Sequence, residues 1–231
     1  MKKQFTQEEI MDLLNKLYEQ CVDGIDKIGV VKKISKPVTE MADDYLTKYD
    51  DVETASKKFV NYQLTKCTTS GFLTGLGGLI VLPVAIPANV SSVLYVQMRM
   101  IAALAYMGGY DLKSDQVQTL VYATLAGVSL GGVVKDAGIK MGNKLAIAMI
   151  DKIPTAALKT INQKVGFRLV TKFGSKGIIN LGKVVPIAGG VISGGFDFVE
   201  TKAIAKRAHK LFIDGEVYTV SDEPVYTDIE I

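Results

Sequence analysis

The sequence predicts an all-α fold of about eight helices, in which two apolar helical hairpins broken by glycine and proline form the core. Three observations carry this. Apolar residues recur at helical spacing through most of the chain. Most of the 22 glycines lie from Gly71 onward, where close-packed helices would use them. Residues 68–111 can be laid over 171–214 with ten identities in 44, among them Pro83/Pro186, Ala85/Ala188, Val96/Val199, Ala105/Ala208 and Asp111/Asp214.

The elements follow in order. Thr6 to Glu9 reads as a capping box, opening an amphipathic helix with Ile10, Leu13, Leu14, Leu17 and Cys21 on one side and an end near Gly24. Lys36-Pro37 opens a second helix, with Met41, Tyr45 and Leu46 apolar. Asp50 or Asp51 caps a third, which turns Phe59, Val60 and Leu64 inward. The first hairpin has a short helix to about Leu82, a break at Pro83 and Pro87, and a long helix from about Ala88 to Met107, stopped by Gly108-Gly109. Ser114 caps an apolar helix, since Gln116 to Val134 is 19 residues without a charge. Residues 139–150 and 155–172 read as basic amphipathic helices around Pro154. The second hairpin breaks at Pro186 and ends in a helix from about Gly190 to Phe212. The expected division is 1–49 as amino-terminal helices, 50–213 as the main all-α domain and 214–231 as an acidic tail.

Net charge is +3 but unevenly spread. Residues 135–210 hold 14 Lys/Arg against 4 Asp/Glu, and residues 211–231 hold 6 acids and no base. The basic block seeks anionic partners. Lys164, Arg168, Lys172 and Lys176 stand at successive i+4 positions, opposite Leu158, Ile161, Val165 and Leu169. Such a helix can lie on anionic lipid or be an ordinary solvated face. Nucleic acid is not the expected partner, because no helix-turn-helix or RNA-binding signature accompanies the charge and only Phe167 and Phe173 could stack on bases.

Small residues recur four apart at Gly71/Gly75, Gly127/Gly131 and Gly190/Gly194, a spacing that brings two helix backbones close. It suits packing within the chain, in a bilayer, or between copies in a homo-oligomer. Cys67 to Met98 is 32 residues without a charge. Yet Pro83 and Pro87 would free backbone groups in lipid, and Arg99 in mid-helix costs at least about 2.5 kcal/mol to insert. Ser92, Tyr95, Arg99 and Tyr106 share one face, which reads as a polar groove or contact. Two readings stand: a soluble helical core touching membrane peripherally, or hairpins that re-enter the bilayer.

Catalytic signals are sparse. His209 is the single histidine and reads as a surface or capping residue. Triads and metal centres usually recruit more than one such side chain. Cys21 and Cys67 are too few for a disulfide scaffold. No catalytic residue, metal or cofactor is expected. The start, "MKKQFTQEEI", has no apolar stretch behind its basic pair. The expected location is therefore the cytoplasmic side of a membrane, peripheral or partly inserted, with the cytoplasm as alternative.

The runs "LPVAIPANVSSVLYVQMRMIAALAYMGGYD" and "SDQVQTLVYATLAG" resemble the EcsC protein family of bacteria. "GNKLAIAMIDKIP", "INQKVGFRLVTKFGSKGIINLGKVVPIAGGVISGGFD" and "TKAIAKRAHKLF" extend the likeness over about residues 50–213. The resemblance implies association with membranes, envelope processes or secretion, and brings no catalytic residues. The expectation is a non-enzymatic, membrane-associated protein that binds lipid, anionic above all, or a membrane or secretion partner. The alternative is a soluble regulatory or adaptor module linked to transport or secretion.

Overall fold

The computed structural model describes residues 6–28, 31–68, 88–132, 147–173 and 192–217. Eight helices have their bounds among them: α1 (Gln7–Asp23), α2 (Val38–Leu46), α3 (Val52–Thr68), α4 (Ala88–Met107), α5 (Asp115–Ala126), α6 (Ile147–Ile150), α7 (Thr155–Phe173) and α8 (Ile192–Phe212). The fold is all-α, with one small addition. Strands β1 (Ile25–Ile28) and β2 (Val31–Ser35) pair antiparallel, Ile28 opposite Val31 and Ile25 opposite Ser35.

α1 begins as the sequence predicts. Glu9 N–H donates to Thr6 Oγ1 at 3.1 Å, and Thr6 N–H donates back to the Glu9 carboxylate at 3.0 Å. Ile10, Leu13, Leu14, Leu17 and Cys21 have no exposed surface, and Gly24, at φ 80°, ends the helix. α3 starts where Asp51 accepts from Thr54 N–H at 2.7 Å, a bond that holds the Asp51 carboxyl below its ordinary value. Phe59 and Leu64 of α3 are buried.

α4 is the centre. Leu94–Met98, Met100–Ala105 and Met107 are buried, so the helix is enclosed on nearly all sides. α8, α1, α2, α5 and α3 pack around it. The two long hairpin arms, α4 and α8, lie against each other. Gln97 Nε2 crosses their buried seam to donate to Thr201 Oγ1 at 3.1 Å. Such a pair lets two polar side chains sit in the core without an unmet hydrogen bond. The arms also meet at their ends: a Cβ on Gly108 would stand 2.0 Å from the Phe212 carbonyl oxygen, and the Tyr110 and Phe212 rings meet edge to face at 5.3 Å. The short arms of both hairpins lie outside the described residues.

One feature differs from the sequence reading. The apolar run after Ser114 does not continue as one helix. Gly127 takes the left-handed conformation at φ 67° and closes α5, with Val128 N–H on the Ala123 carbonyl at 2.8 Å. Gly127 and Gly131 therefore belong to different elements rather than to one close-packing stripe. The amino-terminal helices pack on the rest of the fold. α1 packs on α4 and α7, and α2 on α4 and α3, all in one hydrophobic cluster.

Candidate functional site

α7 presents its outer face as the best-formed candidate surface. Ala157, Leu158, Ile161, Val165, Gly166 and Leu169 turn inward against α5 and α1. This leaves Lys159, Thr160, Gln163, Lys164, Phe167, Arg168 and Thr171 exposed. No Asp or Glu occurs in Thr155–Phe173. Phe167 is 64% exposed, the most exposed large apolar side chain among the described residues. It stands between Lys159 on one edge of the face and Lys164 and Arg168 on the other.

The four cations expected to act together divide. Lys164 and Arg168 are exposed. Lys172 is half-buried, paired with Glu200 of α8, and its ammonium lies 4.9 Å from the Phe173 ring centre. It thus ties α7 to α8 and contributes little outward charge. Lys176 lies outside the described residues. The Arg168 guanidinium reaches toward the end of α5, 3.7 Å from where a Gly127 Cβ would stand, and Arg207 reaches the same spot. Two cations at a helix carboxyl end meet the partial negative charge of its last carbonyls. Phe167 is the residue that sequence reasoning undervalued. Its signal was present, as an aromatic residue standing off the apolar stripe of an amphipathic helix.

The polar face of α4 is closed rather than open. Tyr95 is fully buried. Arg99, half-buried, donates to the Tyr95 hydroxyl at 3.2 Å and to the Lys36 carbonyl at 3.0 Å. Its guanidinium lies 5.5 Å from the Tyr95 ring centre, and Met41 Sδ is 3.3 Å from Nη2. Tyr106 donates to the Asp43 carboxylate, which raises the phenol's pKa. These contacts form the seam that docks α2 onto α4. Ser92 lies in α4, and its side chain is outside those described. Of the glycines singled out, Gly71, Gly75 and Gly190 lie outside the described residues and Gly194 lies at the start of α8.

A second constellation joins residues that the sequence keeps far apart. His209 Nε2 lies 3.1 Å from Ser56 Oγ and 3.3 Å from Glu53 Oε2, and Nδ1 lies 3.5 Å from Asp214 Oδ2. The arrangement has the residue types of a nucleophilic triad. Ser56, however, is fully buried and donates to the Glu53 carbonyl at 2.9 Å, so no substrate reaches its hydroxyl in this conformation. Cys21 is no better placed: it is enclosed, and burial pushes its thiol well above the ordinary value.

Among the described residues no helix is long and apolar enough to cross a membrane. No curated protein and no solved structure matches the chain at a significant level. The model of the EcsC protein family matches residues 3–213, and so takes in the amino-terminal helices as well as the segment that carried the resemblance. The chain belongs to the EcsC protein family.

Proposed function

We propose that the protein is a non-enzymatic lipid-surface binder that docks on anionic membranes through the outer face of α7. The observation that carries this reading is the pairing of a 64% exposed Phe167 with an outward helix face that holds Lys159, Lys164 and Arg168 and no acid. A phenyl ring flanked by cations on one helix face suits entry into a headgroup layer. Lys159, Lys164 and Arg168 reach headgroup phosphates, and each cation near such a surface contributes about 1 kcal/mol. Phe167 adds the larger increment, about 1.5–3 kcal/mol if its ring is fully buried. The sum corresponds to reversible, peripheral binding.

The test uses the full chain, with phosphatidylcholine vesicles alone or containing an anionic phospholipid, at low and high salt. The expected result is sedimentation with the anionic vesicles only, decreasing as salt rises. The double variant Lys164→Glu/Phe167→Ser should stay in the supernatant with an unchanged far-ultraviolet spectrum. Equal partitioning into both vesicles would remove the electrostatic part of the proposal. No partitioning at all would favour the adaptor reading.

A further inference from the structure

The cluster at the facing ends of α3 and α8 has the chemistry of a cation site. Glu53 comes from the first turn of α3, His209 from the last turn of α8, and Asp214 from just beyond it. One donor atom from each lies within 4.8 Å of the others. The His209 side chain is 17% exposed, and the carboxylates of Glu53 and Asp214 are 47% and 43% exposed. An ion can therefore reach the donors, while the ring itself is held in place. That hold is specific. Ser56 stands at Nε2, and both ring nitrogens face a carboxylate. Backbone bonds fix the geometry too, since Ile213 and Asp214 N–H both donate to the His209 carbonyl, at 2.8 and 3.1 Å. Lys57 takes Glu53 Oε1 at 2.8 Å and leaves Oε2 turned to the imidazole.

We infer that this cluster binds a divalent transition metal of the zinc or manganese class, through one ring nitrogen of His209 and one oxygen each of Glu53 and Asp214. One nitrogen and two carboxylate oxygens suit that class, and magnesium prefers oxygen-only sites with several waters. Water fills the remaining positions. The bound ion replaces the direct contacts that His209 makes with the two carboxylates, and clips the start of α3 to the end of α8. Binding requires an unprotonated ring nitrogen, so it weakens in acid.

Because the chain has a single histidine, its imidazole signals need no assignment. Tag-free, chelator-treated full-length protein is titrated with Zn²⁺, and binding is read by calorimetry and by the imidazole ¹⁵N–¹H correlation spectrum. The expected result is one ion per chain with displaced His209 signals. Asp214→Asn, an exposed change that leaves the core untouched, should weaken binding about tenfold or more. Glu53→Gln should do the same. Unmoved His209 signals would overturn the inference, as would binding that both variants leave unchanged, since that would place the ion elsewhere, on Cys67 for example.

Discussion

Leu14→Ala is expected to lower the unfolding free energy by about 2–5 kcal/mol, the range for emptying a leucine site in a close-packed core. Leu14 has no exposed surface and lies in α1, which packs against both α4 and α7. α1 is held by both helices, so collapse around the cavity is limited. Chemical denaturation followed by circular dichroism measures the effect. The size of the loss matters for the organisation of the chain. If residues 1–49 were a loosely attached segment, truncating one leucine there would cost little, and a loss below about 1 kcal/mol would fit a surface site rather than a core one.

Gly108→Ala should destabilise by about 1–3 kcal/mol through overpacking, and Gly108→Val by more. A Cβ at residue 108 would meet the Phe212 carbonyl oxygen at 2.0 Å and its carbon at 3.0 Å, with Tyr110 Cε2 also at 3.0 Å. The obstacle is backbone, which cannot swing aside as a side-chain tip can. Relief requires the ends of α4 and α8 to part, and that opens the edge-to-face contact of Tyr110 with Phe212. Gly132→Ala is the control, since nothing lies within 4 Å of the added methyl there. A fall in the thermal midpoint for the first variant, with none for the second, is the expected pattern. Equal midpoints would show that the two helix ends are not in contact.

Much of the architecture was readable because its causes are local. The capping box at Thr6 and Glu9, the proline before α2 and the Asp51 cap each lie within a few residues of the helix that they start. The bounds of α4, Ala88 and Met107, follow from Pro87 and the paired glycines. The helix expected from about Gly190 to Phe212 is α8, which begins at Ile192 and ends at Phe212. What was missed depends on less local choices. β1 and β2 sit in a lysine-rich stretch, with Lys27 opposite Lys32 and Ile28 opposite Val31, and the strands are too short for a periodicity to register. Gly127 is identical in composition terms to a helix-packing glycine, and only its backbone angle makes it a terminator.

The candidate surface was half legible for similar reasons. Spacing alone aligned Lys164, Arg168 and Lys172, but spacing carries no information on the opposite helix. Glu200 takes Lys172 out of the outward face. The cluster around His209 was not legible at all. Ser56 and His209 are 153 residues apart, and what brings them together is the packing of α3 on α8. The sequence shows the histidine near a helix end among cations, and does not show the two carboxylates that meet it.

The membrane proposal rests on the ring of Phe167 entering the lipid interface, and the chain supplies its own reporter for that event because it contains no tryptophan. Phe167→Trp places a single indole at the exposed position. Its emission should shift to shorter wavelength and become shielded from a water-soluble quencher when anionic vesicles are added, with no change on neutral vesicles. An indole that stays in water while the protein sediments with the anionic vesicles would contradict the account, because another surface would then be making the contact.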